Sequence, residues 1–152
     1  MSHLRVALRL TLSVGVVASF FVLWFLGMPF VAFSSRAWAR WRAWILRSIS
    51  RCLLRILGVR VEVRGAPPRA PFVLVSNHLS YIDILVLASR LDAVFISKYE
   101  AADWPVLGPL CRAMGTVFIK RESMRDLTRV LEAMDRSLED GTGIVFFPEG
   151  TS

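Results

Sequence analysis

A histidine and an aspartate that could act together on a proton lie in the stretch VSNHLSYID, residues 75–83. His78 and Asp83 are five residues apart, and in one regular helix this separation would turn their side chains about 140° from each other. His78 is therefore predicted to lie in a loop, with Asp83 in the first turns of the helix that follows. A carboxylate in that position can reach back to the imidazole Nδ1, fix the tautomer and leave Nε2 free to accept a proton from a hydroxyl.

Two other interpretations of this stretch stay open from the residues alone. Ser76 and Ser80 flank His78 and could indicate a covalent serine enzyme. Neither serine lies in a G-x-S-x-G elbow, the usual setting for such a nucleophile in an α/β protein. A polar helix cap without any chemistry is the other alternative, because Ser and Asp are common at helix starts.

Two further apolar runs are followed by polar residues that could bind an anion. GTVFIKR, residues 115–121, ends in Lys120 and Arg121, and an arginine can bind a phosphate through two hydrogen bonds. FFPEGTS, residues 146–152, can present backbone N–H groups to a phosphate or an oxyanion, with Glu149 orienting a substrate or holding the loop. A solvated charge pair and an ordinary turn are the plain alternatives for these two stretches.

The elements that would position these residues alternate along the chain. The apolar runs PFVLVS, AVFIS, TVFIK and GIVFFP predict buried strands, and VEVRG, residues 61–65, predicts an edge strand. Between the runs, helices are predicted over residues 80–91, 104–114 and 123–139, the last with Ser123 as its cap and Gly141 as its stop. After a linker at residues 65–71, the pattern predicts an α/β domain over residues 72–152, with a mainly parallel sheet flanked by helices. Ligands of such sheets bind where strands end and helices begin, which is where His78 falls.

The first 34 residues predict a membrane anchor. Residues 10–33 are 24 residues without a charge, enough to cross a hydrocarbon core of roughly 30 Å. A cleaved signal peptide would end in small residues, whereas this run ends in bulky ones next to a cluster of arginines. Gly27 and Pro29 leave open whether the segment spans the bilayer or dips in and returns. The arginine-rich side that follows the run is predicted to be cytoplasmic.

A basic amphipathic helix at the bilayer interface is predicted next, within residues 35–64. Five arginines share about a third of its circumference, and an apolar set lies opposite. The arginines are Arg36, Arg40, Arg47, Arg51 and Arg55, and the apolar set is Trp38, Ile45, Ile49, Leu53 and Ile56. Arginines toward lipid phosphates and apolar residues toward acyl chains are typical of an interfacial helix. The alternative is a basic helix that packs its apolar face on the domain.

The charge distribution points to a membrane rather than to a nucleic acid. Residues 1–70 carry eleven Arg and one Glu, a net charge of +10, whereas the rest of the chain carries −3, so the total is +7. A nucleic-acid-binding domain would carry the positive charge on its folded part, so anionic lipid head groups are the expected partner. Cys52 and Cys111 have no metal-ligand spacing and are assigned no chemistry.

The three polar stretches together resemble the motifs of the glycerophospholipid acyltransferases related to bacterial 1-acylglycerol-3-phosphate acyltransferase. NHLSYID resembles their H-x-x-x-x-D motif, GTVFIKR their second motif and FPEGTS their third, in the family's order and spacing. The resemblance implies that His78 deprotonates a lysolipid hydroxyl and that Asp83 orients it. It also implies that the acyl donor is a thioester on coenzyme A or acyl carrier protein, with neither metal nor bound cofactor. The residues implied to bind the acceptor are Gly115, Phe118, Arg121, Glu149 and Gly150, with Arg121 on its phosphate.

The resemblance leaves two questions about the whole protein. Members of the family continue through a fourth, proline-rich motif, so a C-terminally truncated chain is expected, with the possibility of an inactive fragment that only binds a membrane surface. The expected product is phosphatidic acid in phospholipid biosynthesis at a bacterial inner membrane. NHLSYIDILVLAS with ADWPVLGPL is also similar to acyltransferases that complete ornithine lipids, and Arg121 would then face an acceptor without a phosphate.

Overall fold

Four short strands form one parallel sheet in a computed structural model that describes residues 3–120 and 124–148. The strands are β1 (Val73–Val75), β2 (Ala93–Lys98), β3 (Val117–Ile119) and β4 (Gly143–Phe146). Their order across the sheet is β1-β4-β2-β3, and each neighbouring pair is parallel. Three strands lie within predicted apolar runs, and β2 extends one residue past its run AVFIS, to Lys98, which confirms the α/β class.

The first two helices precede the sheet, and three more alternate with the strands. They are α1 (His3–Val31), α2 (Ser35–Leu57), α3 (Tyr81–Ala88), α4 (Leu107–Ala113) and α5 (Met124–Glu139), with a 3-10 turn at Tyr99–Asp103 before α4. Gly141 has a φ of 77°, and its N–H donates to Leu138 O, so it ends α5 as predicted. Ser123, the predicted cap of α5, lies outside the described residues.

The core lies on the face of the sheet that α3 covers. Leu74, Phe95 and Val145 lie side by side on β1, β2 and β4, and they pack with Ala88 and Leu91 at the end of α3. Full burial of one such large apolar side chain contributes about 1.5–3 kcal/mol. On the other face, α5 packs on β3 and β4 through its buried Val130. This packing fixes the strand ends that carry the polar stretches.

The predicted membrane segment is the helix α1, which lies antiparallel to α2. Trp41 of α2 contacts Gly27 near one end of α1, and Arg9 near the other end approaches Gly58, directly after α2. In the described part of the chain, α1 is the helix whose length and hydropathy would allow it to cross a membrane, and most of its residues are exposed. Pro29 lies in the last turn of α1 and does not interrupt it.

The apolar face of α2 packs inside the protein. Ile45 and Ile49 form a buried cluster with Phe20 of α1 and Met114 after α4. The helix itself is confirmed, but the expectation that Ile45 and Ile49 face acyl chains is wrong. Sequence periodicity shows that a helix has an apolar face, whereas only tertiary packing decides what covers that face.

The arginine face of α2 is partly used to hold this helix on the domain. Arg47 forms an ion pair with Asp92, and Arg51 donates from Nε to the carbonyl of Ser89 at 3.0 Å. The prediction that this face turns toward lipid phosphates is therefore wrong for Arg47, whose charge is paired, whereas Arg51 keeps its terminal nitrogens. The other three arginines of the predicted set, Arg36, Arg40 and Arg55, are exposed.

The segment between α2 and β1 contains no strand. Residues 59–72 have no regular secondary structure, so the predicted edge strand at residues 61–65 is wrong. Glu62 pairs with Arg64 along the chain at 3.2 Å, and both side chains are largely exposed. Alternating valines indicate a strand only where a neighbouring strand supplies hydrogen bonds, and in the described residues β1 pairs only with β4.

Candidate active site

The carboxyl ends of β1 and β4 meet at one edge of the sheet and bring two of the sequence motifs together. The loop after β1 carries His78, and the segment after β4 carries Phe147. The two strands are direct neighbours, with Val75 opposite Phe146, and the Ser76 N–H donates to Phe146 O at 3.2 Å. The parallel pairing therefore places Phe147, the first residue of the third motif, beside the first motif.

A helix cap holds the loop that carries His78. Ser80 is the N-cap of α3 and accepts the Ile82 N–H, while Asp83 accepts the backbone N–H groups of Leu79 and Ser80 on Oδ2 at 2.7 and 2.8 Å. A serine cap with an acid three residues later satisfies N–H groups that a helix start otherwise leaves unpaired. The polar-cap interpretation is thus confirmed, and the same carboxylate faces His78.

His78 lies in the loop and Asp83 in the first turn of α3, as the five-residue spacing predicts. The imidazole Nδ1 is 3.5 Å from Asp83 Oδ2. This atom is shielded from solvent and makes no hydrogen bond, because 3.5 Å exceeds the usual range of about 2.7–3.2 Å. A buried polar atom without a partner costs about 1–3 kcal/mol, so a small approach of the two groups is favourable. Hydrogen bonds of catalytic groups are often long before the substrate binds.

An aromatic ring from the third motif supports the imidazole. Phe147 stacks on His78 with ring centroids 4.3 Å apart and an angle of 25° between the planes. Behind Phe147, the buried Phe95 lies 6.4 Å away in a second stack. The imidazole is therefore held between its own loop and a ring that is anchored in the core.

Replacing Phe147 with Leu is expected to lower the kcat of the acyl transfer that the motifs imply by about threefold to tenfold. The reason is that an aromatic pair contributes about 0.5–1.5 kcal/mol beyond its buried area. The matched variant Phe147→Tyr keeps the ring and should stay close to the wild type. Steady-state rates measured together with thermal unfolding of both variants check this expectation. A Phe147→Leu protein with an unchanged kcat would show that the stack does not position the imidazole.

The structure does not bring Gly115 next to His78. Gly115 directly follows α4 and precedes β3, so it lies at the amino-terminal edge of the sheet, whereas His78 lies at the carboxyl edge. Its φ is +79°, and a side chain there would run into the guanidinium of Arg42. That guanidinium is largely buried, which lowers the pKa of Arg42, while the charge of Asp140 opposes the shift. The positive φ and the close approach of Arg42 from α2 therefore explain why a glycine occupies this position.

Gly115→Ala is expected to destabilise the protein more than Gly141→Ala. Both glycines have a positive φ, of 79° and 77°, which costs an alanine about 1–2 kcal/mol, but only Gly115 has a neighbour where Cβ would lie. The neighbour is the far end of the Arg42 side chain, so its displacement adds only about 1 kcal/mol. Thermal unfolding of both variants measures the difference. If the two variants unfold alike and Gly115→Ala raises only the KM for the acceptor, Gly115 belongs to the acceptor site after all.

Phe118, the second predicted acceptor residue in this stretch, is part of the core. It lies on β3 opposite Ser97, is 8% exposed, and its carbonyl accepts a hydrogen bond from Arg129 at 2.6 Å. The guanidinium of Arg112 lies over its ring, 5.7 Å from the centroid. These contacts hold α4 and α5 against β3, so in this structure Phe118 contributes to packing at a distance from His78.

Arg121, Glu149 and Gly150 lie outside the described residues, so their predicted roles stay predictions. Lys120, directly before Arg121, places its ammonium 4.0 Å from the ring centroid of Tyr99. The Lys120 N–H donates to Asp126 at 2.9 Å, and this bond is the main reason that the pKa of Asp126 is lowered. The end of β3 is therefore tied to the start of α5.

An apolar rim lies near His78 and was not predicted from the sequence. Tyr81 packs edge to face against His78 at 6.2 Å and against Trp104 at 5.5 Å. Tyr81 is 64% exposed and its neighbour Leu79 91% exposed. The sequence signal for this rim is the pair of apolar residues, Leu79 and Tyr81, on either side of the helix cap Ser80.

Comparison with known proteins identifies the family of the chain. Residues 59–152 match the sequence model of the Acyltransferase family, and the chain belongs to that family. A lyso-ornithine lipid O-acyltransferase of Rhizobium meliloti is 41% identical over 112 residues, which are 73% of this chain and 38% of that protein. A 1-acyl-sn-glycerol-3-phosphate acyltransferase of Neisseria meningitidis is 40% identical over 103 residues, covering 66% of this chain and 40% of that protein.

A solved structure shares the fold over nearly the whole chain. The crystal structure of the 1-acyl-sn-glycerophosphate (LPA) acyltransferase PlsC from Thermotoga maritima superimposes with a TM-score of 0.61 at 25% identity. The match covers 97% of this chain and 63% of that one. The chain therefore spans about two fifths of the length of the curated relatives it matches, and under two thirds of the solved one.

Proposed function

We propose that the complete protein transfers a fatty acyl group from a thioester to the free hydroxyl of a lysophospholipid. The observation that carries the proposal is the placement of His78 between Asp83 and Phe147, which joins the first and third motifs in a chain of the acyltransferase family. Acyl-CoA or acyl carrier protein is the proposed donor. Neither a metal nor a bound cofactor takes part in the proposed reaction.

The proposed chemistry uses His78 twice. Nε2 accepts the proton of the lysolipid hydroxyl while the oxygen attacks the thioester carbonyl carbon, and Asp83 stabilises the imidazolium that forms. The tetrahedral intermediate then expels the thiolate as the C–S bond breaks. The thiolate takes the proton from Nε2, so the products are an ester and a free thiol, and the imidazole returns to its neutral state.

The surroundings of the serines support direct attack by the substrate over a covalent serine intermediate. Ser80 Oγ accepts the Ile82 N–H as a helix cap, and Ser76 Oγ donates to Asn77 O at 3.1 Å. An activated serine would instead donate its proton to the base. Within the described residues, His78 has no hydrogen bond to either hydroxyl.

The exposed rim around His78 supports a lipid substrate. Leu79, Tyr81 and Trp104 place apolar surface in solvent beside the reacting pair, where a water-soluble acceptor would gain nothing from it. The apolar helix α1 supports association with a bilayer. We therefore propose a bacterial inner membrane as the location, with the catalytic part on the cytoplasmic face and anionic head groups as partners.

The proposed acceptor is 1-acylglycerol 3-phosphate, which would give phosphatidic acid, with Arg121 on its phosphate. Lyso-ornithine lipid is the second candidate, because a relative with that name matches this chain at 41% identity and one acting on the phosphate acceptor at 40%. The two acceptors differ at the group that Arg121 would bind.

Acylation assays with the complete protein test the proposal. Thiol release from palmitoyl-CoA and from palmitoyl acyl carrier protein is followed with each lysolipid in turn. Release that depends on 1-acylglycerol 3-phosphate, and that falls in Arg121→Gln through a higher KM, is the expected result. Preference for lyso-ornithine lipid would replace the first acceptor with the second, and release without any acceptor would contradict acyl transfer.

A further inference from the structure

A polar pocket of about 390 Å³ lies on the opposite side of the domain from His78. It opens where α2 and α3 end, next to Val59 and Ser89, at the amino-terminal edge of the sheet. Three arginines line it: Arg51, Arg55 and Arg90. None of them takes part in the proposed acyl transfer, so the pocket needs its own explanation.

The pocket carries an excess of positive charge. Its lining contains no carboxylate, and the two acids close to it in sequence are paired elsewhere, Glu62 with Arg64 and Asp92 with Arg47. The carboxyl ends of α2 and α3 contribute about half a negative charge each. Three arginines against about one negative charge leave an excess of about two positive charges.

The donors of the pocket are arranged for an anion. Arg51 uses Nε to bind the carbonyl of Ser89 at 3.0 Å, which fixes its guanidinium and leaves its terminal nitrogens available. Arg55 and Arg90 are exposed at the same pocket. Guanidinium groups recognise phosphate oxygens through paired, charge-assisted hydrogen bonds, so a phosphate is the group that this lining suits.

The position of the pocket along α1 indicates the source of the phosphate. Gly58, beside Val59 of the lining, is approached by the guanidinium of Arg9, which would lie 3.4 Å from a Cβ at that glycine. The uncharged run of α1 begins at the next residue, Leu10. A pocket beside the apolar helix α1, next to the arginine that precedes its uncharged run, is within reach of lipid head groups once α1 associates with a bilayer.

We infer that Arg51, Arg55 and Arg90 bind the phosphate of an anionic phospholipid that is not the acyl acceptor. This site goes beyond the proposed function, because it is separated from His78 by the length of the sheet and needs only membrane association. A bound head group there would fix the hairpin of α1 and α2, and with it the domain, at a defined height on the bilayer.

The test uses the complete protein in dodecyl maltoside and native mass spectrometry to count bound dioctanoylphosphatidylglycerol. Arg55→Gln with Arg90→Gln removes two pocket charges and spares the bond of Arg51 to Ser89. The control pair, Arg36→Gln with Arg40→Gln, removes the same charge from exposed positions at the other end of α2. We expect the pocket pair to lose about a hundredfold in affinity and the control pair less than about fivefold.

Three outcomes would overturn the inference. Equal losses in the two pairs would show that the lipid responds to diffuse charge rather than to this pocket. Equal binding of zwitterionic dioctanoylphosphatidylcholine by the wild type would remove the selectivity for an anion. If inorganic phosphate binds the wild type more tightly than the lipid does, and the pocket pair loses this binding, the ligand is free phosphate. Loss of acylation by His78→Ala without change in lipid binding would keep the two sites distinct.

Discussion

Replacing His78 with Ala is expected to lower the rate of acyl transfer by about two to four orders of magnitude, the usual contribution of a positioned general base. The reason is that the hydroxyl of a lysolipid is a weak nucleophile until its proton is removed. Phe147 holds the imidazole against a fixed ring with Nδ1 3.5 Å from the Asp83 carboxylate, so only a small approach completes the pair. The rate constant kcat with saturating lysolipid and palmitoyl-CoA is the quantity to measure.

A stability measurement separates chemistry from folding in this variant. The His78 side chain is one quarter exposed and stacks on Phe147, so its removal should cost about 0.5–1.5 kcal/mol of stability, too little to unfold the protein. His78→Gln, which retains polarity but cannot accept and return a proton at neutral pH, should be as slow as His78→Ala. Rapid turnover by either variant would show that another group is the base.

Asp83→Asn is expected to lower kcat by about tenfold to a thousandfold, because the amide lacks the negative charge that stabilises the imidazolium formed as the hydroxyl loses its proton. The amide oxygen can still accept the N–H groups of Leu79 and Ser80, so the cap of α3 should be weakened by only about 1 kcal/mol. Rates and thermal unfolding of the same preparation provide the two quantities.

Ser80→Ala is the matched control for the aspartate. It removes the hydroxyl that accepts the Ile82 N–H and costs about 1 kcal/mol, but it leaves the carboxylate in place. If both variants lose the same stability but only Asp83→Asn loses rate, the result would support an orienting role for Asp83. If both variants slow to the same extent, Asp83 acts only through the fold of the loop.

The parts of the fold that could be predicted are those decided by local pattern. Strands buried on both faces read as continuous apolar runs, which is why three strands fall inside such runs and β2 extends only one residue past its run. The spacing of His78 and Asp83 excluded one helix and placed the loop correctly, because helical geometry fixes the angle between residues. The motif order then identified the family that the comparison confirms.

The parts that could not be predicted depend on what packs against what. The sequence shows that α2 has an arginine face, but Arg47 and Arg51 find partners on the domain that lie far along the chain. The role of Phe147 depends on β4 lying beside β1, an order that no local pattern contains. Gly115 is part of the second motif, but its positive φ and the approach of Arg42 arise only in the folded chain.

The most direct test of the central claim asks whether the lysolipid hydroxyl or the protein itself attacks the thioester. The complete protein is mixed with palmitoyl-CoA or palmitoyl acyl carrier protein without an acceptor, and its intact mass and the released thiol are followed. If His78 activates the hydroxyl of the acceptor, the protein keeps its mass, and thiol appears only when the lysolipid is added. A palmitoylated protein that carries the acyl group on Ser76 or Ser80 and passes it on to the lysolipid would contradict the account.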